Sequence, residues 1–188
     1  MLSKMMKNNS IHAAPYVFRA EERILVDANV WLYLQPPVAR PAPSWANRGY
    51  SRVFANLLAA GAVPVIDALI LSEYLNRYVR IEYDACWKEG YAKFKDFRSS
   101  PAGVTVAENA VAEAEHILSF TGRLQDTMAN EISLSDVFAE FKQGSIDFND
   151  GILIENCRLR QWKFLTHDAD IRVGGIDVLT LNKKLLGA

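Results

Sequence analysis

Short apolar runs alternate along the chain with longer stretches in which apolar residues recur at helical spacing. The apolar runs have the length and composition of buried strands: ILVD at 24–27, VPVID at 63–67, WKFLT at 162–166 and part of IRVGGIDVLTL at 171–181. The first run shows no period-2 alternation, which is typical of a strand covered on both faces. Parallel central strands therefore fit this pattern.

The segments between these runs are predicted to be helical. They are 51–61 (ended by Gly61), 68–87, the alanine- and glutamate-rich 106–120, 133–143 and 151–161. Alternating strands and helices indicate an α/β fold with a mostly parallel central sheet flanked by helices. The gaps between strands are long enough for the crossovers that parallel pairing requires.

The domain organisation follows from length and proline content. At 188 residues the chain is expected to form one domain, which we place at 23–188. Residues 1–22 are predicted to be a flexible N-terminal segment. Four prolines between positions 36 and 43 predict an irregular insertion at about 35–50, because proline this dense prevents regular helix.

Composition and charge exclude several classes of protein. The formal net charge of −1 predicts no global attraction to nucleic acid, so any such site must be a local basic patch. The two cysteines, Cys86 and Cys157, are distant in sequence, and no Cys–His cluster indicates a structural zinc site. No apolar stretch has the length of a membrane span, so we expect a soluble, cytoplasmic protein without membrane contact.

Four acidic residues lie at or near boundaries of predicted elements. Asp27 ends the first strand and Asp168 follows WKFLT, whereas Asp150 precedes an apolar helix. Glu73 lies early in the helix after VPVID. Because sites in α/β sheets form beyond the carboxyl ends of the strands, we expect these four side chains to meet at one edge.

Carboxylates that meet at one edge repel each other unless a positive charge lies between them. Oxygen-only ligands suit a hard divalent cation, so the predicted cofactor is Mg²⁺ or Mn²⁺. Such a cation can activate water and offset charge on a phosphodiester. The residues therefore favour metal-dependent hydrolysis of a phosphodiester bond.

The motifs VDANVWL, LSEYLNR, DFNDGILIENCRL and FLTHDADI resemble the acidic motifs of the PIN-domain family. The resemblance implies a three-layer sandwich and a metal-dependent endoribonuclease, often the toxin of a toxin–antitoxin pair, that leaves 5′-phosphate and 3′-hydroxyl ends. It implies an RNA substrate, a small antitoxin partner and a homodimer. By position, the family's acidic quartet corresponds to Asp27, Glu73, Asp150 and Asp168, with Asn29 and Thr166 as neighbours that orient them. Asp147 and Asp170 lie close in sequence to Asp150 and Asp168; we favour Asp150 and Asp168, with Asp147 as a candidate second-sphere or second-metal ligand.

Simpler interpretations of the same residues stay open. Asp27 or Asp150 can be a helix N-cap, and Glu73 can be a surface residue paired with Arg77 four positions on. His167 is expected to be an exposed turn residue. Candidate phosphate contacts near the Asp150 helix are Arg158, Arg160 and Lys163. The alternative function is a non-catalytic PIN-like module that binds RNA or a protein.

Overall fold

A single five-stranded sheet forms the centre of the computed structural model, which describes residues 6–122, 124–127 and 130–187. Its strands, in chain order, are β1 (Asn9–His12), β2 (Arg23–Val26), β3 (Val63–Val65), β4 (Lys163–Leu165) and β5 (Asp177–Thr180). Their spatial order is β1-β5-β4-β2-β3, and every neighbouring pair is parallel. The predicted α/β fold with a parallel sheet is confirmed.

Helices connect and cover the strands. They are α1 (Ala28–Leu34), α2 (Ser44–Ala59), α3 (Ala68–Glu82), α4 (Phe94–Arg98), α5 (Pro101–Thr121), α6 (Leu134–Lys142), α7 (Phe148–Arg160) and α8 (Lys183–Leu186). A π-helical turn, Tyr83–Trp87, continues α3. Within the described ranges, no helix is both long and apolar enough to cross a membrane.

The core lies around the two central strands. Ile24 and Leu25 of β2 and Phe164 and Leu165 of β4 are fully buried, although successive residues of a strand point to opposite faces. Helices therefore cover both faces of the sheet here, which explains why the ILVD run does not alternate. Burying each such side chain contributes about 1.5–3 kcal/mol relative to leaving it exposed.

The N-terminal segment 1–22, expected to be flexible, contains an ordered strand. β1 extends the sheet by pairing with β5 in the register Ser10 to Val178, and the Asn9 side chain donates to Asp177 at 2.8 Å. The sequence NSIH carries no strand pattern. β1 is an edge strand that forms by main-chain pairing to a segment near the other end of the chain, and such pairing does not require a side-chain pattern. The expectation of flexibility is therefore wrong at residues 9–12, while residues 1–5 lie outside the described residues.

The predicted proline-rich insertion at 35–50 divides into two parts. Residues 36–43 are irregular, whereas Ser44 begins α2 directly after Pro43, which occupies the N-cap position. The expectation of a loop as far as residue 50 is wrong from Ser44 onward. The prolines end at position 43, so nothing after that point prevents a helix, and the burial of Tyr50 against the core stabilises it.

The sheet topology determines which chain segments meet. The central strands β2 and β4 are neighbours, with Val26 opposite Leu165, so their carboxyl ends lie side by side. Helix α3 begins just beyond the carboxyl end of β3. Helix α7 precedes β4 and returns the chain to the start of that strand, so α7 begins at the same edge as the strand ends. Four distant segments are therefore brought to one edge of the sheet.

Candidate active site

Asp27 is the first residue beyond β2 and is only 7% exposed. It occupies the N-cap position of α1, but its side chain makes no capping hydrogen bond to that helix. Its Oδ2 instead accepts hydrogen bonds from the Asn29 side-chain amide and from the Thr166 hydroxyl. The carboxylate is therefore held by one side chain from the first turn of α1 and one from the residue after β4, and it is not used as a cap.

Asn29 and Thr166 also connect the two strand ends to each other. The Asn29 Nδ2 lies 3.2 Å from the Thr166 Oγ1, and its Oδ1 accepts from the His167 backbone N–H at 2.9 Å. Thr166 Oγ1 accepts from the Asp168 backbone N–H at 2.9 Å. Both residues thus lie beside Asp27, where the resemblance puts them, and they restrict how the carboxylate can turn.

Asp168 lies in the turn after β4 and is partly buried. Its Oδ1 accepts a hydrogen bond from the backbone N–H of Asp170 at 2.8 Å. Asp170 itself is exposed. Of these two aspartates, Asp168 is thus the one that the turn holds close to the strand end.

Asp150 lies inside α7 rather than before it. The helix begins at Phe148, and Asp147 is its N-cap, accepting from the Asn149 N–H at 2.8 Å. The expectation that Asp150 precedes the helix is wrong, and the capping role belongs to Asp147. Asp150 lies in the first turn and is partly buried. The exposed first turn of a helix carries unsatisfied N–H groups, which favour a negative charge there.

The pKa values of the buried acids show that their charges act on one another. Burial raises the pKa of Asp27 to about 6, the Thr166 hydrogen bond opposes this, and the charges of Glu73 and Asp168 add to it. Burial likewise raises the pKa of Asp150 to about 7, and the charges of Asp27 and Asp168 add to it, followed by smaller effects of two other acids: Asp147 and Glu73. Carboxylates from separate segments of the chain therefore share one electrostatic environment.

Glu73 forms the ion pair with Arg77 and also lies near the other acids. Its Oε1 accepts from Arg77 at 2.9 Å, and the Glu73 side chain is 38% exposed, so it forms the surface pair predicted by the i,i+4 spacing. Its charge nevertheless raises the pKa of both Asp27 and Asp150. Glu73 is thus near the other acids without hydrogen bonding to the residues that hold Asp27.

The acids fit a hard divalent cation, because all the candidate ligand atoms are carboxylate oxygens. Burial and mutual repulsion disfavour the ionised carboxylates of Asp27 and Asp150, and a cation would offset both effects. Among the described residues, however, no group of three or more acidic, histidine or cysteine side chains is arranged to hold a metal ion. The acids are close enough to interact electrostatically but do not form a finished coordination sphere.

An aromatic group beside the acids was missed by sequence reasoning. His167 is partly buried, and its Nδ1 lies 2.8 Å from the Tyr50 hydroxyl. Its ring contacts Tyr33, Trp45 and Tyr50 at centroid distances of 5.5, 5.3 and 5.7 Å. Burial lowers the pKa of His167, so the neutral form is favoured. The expectation of an exposed turn histidine is therefore wrong, and no local pattern indicated partners from α1 and α2.

Asp67, at the end of VPVID, is another acid at this edge that the sequence analysis passed over. It is fully buried, and its Oδ1 accepts from the Ile70 backbone N–H at 3.0 Å as the N-cap of α3. Burial raises its pKa. Asp67 has the capping role that the simpler interpretation offered for the other aspartates.

The predicted phosphate contacts after Asp150 are occupied by ion pairs. Arg158 pairs with Glu155, Arg160 with Asp126 at 2.6 Å, and Lys163 with Asp177 at 2.6 Å. Lys163 begins β4 and so lies at the edge of the sheet opposite to the acids. These three cations stabilise the fold locally and are not directed toward the candidate site.

Comparison with known proteins adds one finding. No family model matches the chain, and no curated protein matches it. The chain is similar in structure to a chain of VapBC2 from Rickettsia felis, crystallised bound to a DNA fragment from their promoter, with a TM-score of 0.54 and 14% sequence identity. The similarity covers 85% of this chain and 99% of that chain. At this identity the likeness shows the fold alone, which is an α/β fold with an all-parallel five-stranded sheet flanked by helices.

Proposed function

We propose that this protein is a metal-dependent endoribonuclease, the toxin of a toxin–antitoxin pair. The observation that carries the proposal is the mutual effect of the acids: the ionised forms of Asp27 and Asp150 are disfavoured by burial and by the charges of Asp168 and Glu73. Buried like charges without a paired cation are costly, so an arrangement of this kind favours a cationic ligand. Strongly perturbed groups of this kind are concentrated at functional sites.

In this proposal Asp27, Asp150 and Asp168 would hold Mg²⁺ or Mn²⁺, with Glu73 completing the set or positioning a water molecule. Bound there, the cation would supply an activated water and offset negative charge on the phosphoryl oxygens. Asn29 and Thr166 keep the Asp27 carboxylate in one orientation through their hydrogen bonds. Asp147 retains its position at the start of α7, where its charge acts on Asp150.

The proposed reaction is hydrolysis of an RNA phosphodiester that leaves a 5′-phosphate and a 3′-hydroxyl. The partly buried acids lie where the carboxyl ends of β2 and β4 meet, which is the usual location of a site in an α/β sheet. The antitoxin would be a small protein that covers the acids and supplies an arginine or lysine to them, since charge-assisted hydrogen bonds to carboxylates are strong. A homodimer remains a prediction from the family resemblance.

The test is cleavage of a labelled RNA by the purified protein with Mg²⁺ or Mn²⁺ and with a chelator. We expect cleavage only with the metal, and its loss in Asp27→Asn, because the amide cannot provide the same anionic ligand. Asp84→Asn is the matched control, since Asp84 is an exposed aspartate outside the site. Cleavage by Asp27→Asn at the wild-type rate would refute the assignment.

Two observations favour a second candidate, a non-catalytic module that binds RNA or a protein. The described acids do not form a group arranged to hold a metal, and Glu73 is paired with Arg77. In this case Mg²⁺ and Mn²⁺ would leave the thermal stability unchanged, and no RNA would be cleaved. A metal-dependent rise in melting temperature that Asp150→Asn removes would exclude it.

A further inference from the structure

We propose that a cleft beside the acids binds a single-stranded segment of nucleic acid, with Arg40 and Arg80 in contact with its phosphates. The cleft has a volume of about 440 Å³ and lies between the proline-rich segment and α3. This volume is within the range of small-molecule sites, about 300–1,000 Å³. The inference rests on the proposed function for the chemical class of the ligand, but it concerns different residues.

The cleft adjoins the candidate active site through two residues. Asn29 lines the cleft and also donates its hydrogen bond to the Asp27 carboxylate. Arg77 lines the cleft as well and is paired with Glu73. A nucleic-acid strand bound at Arg40 or Arg80 would therefore extend toward the acids.

The charge of the cleft is the opposite of that of the site beside it. Among the described residues, three arginines line it, Arg40, Arg77 and Arg80, and no carboxylate does. The side chain of Arg40 is exposed and forms no ion pair with any described residue. The chain as a whole has a net charge of −1, so this is the kind of local basic patch that an anionic polymer requires.

Arg80 stacks on aromatic rings, and it forms no ion pair with an acid in the described part of the chain. Its guanidinium lies 3.8 Å from the centroid of the Phe94 ring and 5.9 Å from that of Tyr83. Stacking on an aromatic ring leaves the edge of the guanidinium free to donate hydrogen bonds. Phosphate oxygens accept such bonds with the planar geometry that arginine offers.

The wall of the cleft is held in place before any ligand binds. The backbone N–H of Ala39 donates to the buried Glu82 at 2.8 Å, and the Tyr74 hydroxyl donates to the Gln35 carbonyl at 2.9 Å. Prolines at 37, 41 and 43 restrict the same segment further. A preorganised wall loses little conformational entropy on binding, which favours affinity.

Aromatic side chains near the cleft favour unpaired bases over a duplex. Tyr33 lines the cleft, and its ring centroid is 6.0 Å from that of Trp45, which is 55% exposed. An exposed indole beside a basic cleft is a surface on which a base can stack. Bases in a duplex are already stacked on each other, so only a single strand can use this surface.

The experiment measures binding of a short fluorescein-labelled RNA of mixed sequence by fluorescence anisotropy, in chelator and over a range of salt concentrations. We expect Arg40→Gln to weaken binding several-fold and to reduce the slope of log affinity against log salt by roughly 0.7 to 1. Arg80→Gln should do the same. Trp45→Ala should weaken binding without changing the slope, because it removes stacking and no charge.

Arg23→Gln is the matched control, since Arg23 is exposed at the amino end of β2, on the opposite edge of the sheet. It should bind RNA as the wild type does. Melting temperatures check that each variant is folded, and Arg40→Gln keeps the test valid if the loss of stacking at Arg80 unfolds the protein.

The proposal would be overturned if Arg40→Gln and Arg80→Gln kept the wild-type affinity and salt slope. It would also be overturned if an RNA duplex, measured in the same assay, bound more tightly than the single strand. Affinity for an acidic protein segment but not for RNA would also overturn it. Because the assay contains no metal and requires no cleavage, its outcome is independent of whether the acids catalyse hydrolysis.

Discussion

The Asp27 carboxylate is expected to destabilise the metal-free fold that carries it. We predict that Asp27→Asn makes the metal-free protein more stable at about pH 8, and that the difference disappears below about pH 4. The reason is that ionised Asp27 is buried near Glu73 and Asp168, whereas an amide of the same shape carries no charge. A residue retained at this cost is expected where function requires the charge.

The magnitude follows from the pKa. The ordinary pKa of an aspartate is 3.8, and burial raises that of Asp27 to about 6. Each tenfold change in acidity corresponds to about 1.4 kcal/mol, so ionisation of Asp27 costs the folded state up to about 3 kcal/mol. Asparagine presents one carbonyl oxygen where the carboxylate has two, so we expect a gain of about 1 to 3 kcal/mol from the substitution.

The sign follows from proton binding in the two states. Because the pKa of Asp27 is higher in the folded than in the unfolded protein, the folded state binds more protons between about pH 4 and 6, and stability falls as pH rises through that window. Below the window Asp27 is protonated in both states, and the carboxylic acid and the amide differ little. Above it the full cost is present in the wild type and absent in Asp27→Asn.

Urea denaturation in chelator at several pH values, followed by circular dichroism, measures this difference. Asp84→Asn is the control for removing a carboxylate, because Asp84 is exposed. The wild type and Asp27→Asn should have similar midpoints at acidic pH and separate as the pH rises. A variant that is less stable than the wild type at about pH 8 would refute the electrostatic reasoning.

Three further predictions concern the metal, Glu73 and the packing around Gly103. Mg²⁺ should raise the melting temperature of the wild type more than that of Asp27→Asn, since only the wild type gains a partner for its buried charge; equal shifts would contradict a cation at this site. Glu73→Gln should abolish cleavage but change the free energy of unfolding by at most about 0.5 kcal/mol, which is the usual contribution of an exposed ion pair. Full cleavage by this variant would show that Glu73 has no role in the reaction. Gly103→Ala should lower the free energy of unfolding, measured in urea, by about 2 kcal/mol or more, because a Cβ there would lie 2.1 Å from the Phe97 carbonyl oxygen. Gly90→Ala is the control and should be neutral, because a Cβ at Gly90 would lie 3.7 Å from its nearest neighbouring atom.

Local patterns predicted the elements whose side chains follow a recognisable periodicity. The runs at 24–27 and 162–166 became β2 and β4, and the helical spacing after Asp67 became α3, because a buried strand or an amphipathic helix has a recognisable periodicity. The edge strand β1 had no such signal. Its stability comes from main-chain pairing with β5, more than 160 residues away in the chain, and pairing of this kind depends on position rather than on side-chain pattern.

Helix boundaries were predicted less well than helices. The prolines before Ser44 led to a predicted loop where α2 begins. Helix α7 begins at Phe148, so its N-cap is Asp147 and not Asp150. Several residues at this edge compete for the capping role, and which of them takes it depends on where the backbone first becomes helical. Sequence spacing alone does not resolve a shift of two or three residues.

The sequence alone determined an α/β fold with a parallel sheet and placed four acids at or near the ends of its elements, because periodicity and the order of elements along the chain are properties of the sequence. Only the tertiary structure decided that Asn29 and Thr166 hold Asp27, that the acids act on one another's pKa, and that Arg40 and Arg80 line a cleft beside them. Apart from the bond between Asn29 and Asp27, those relations join residues that are distant along the chain. Their energies depend on burial and on distances in space, which the folded backbone creates.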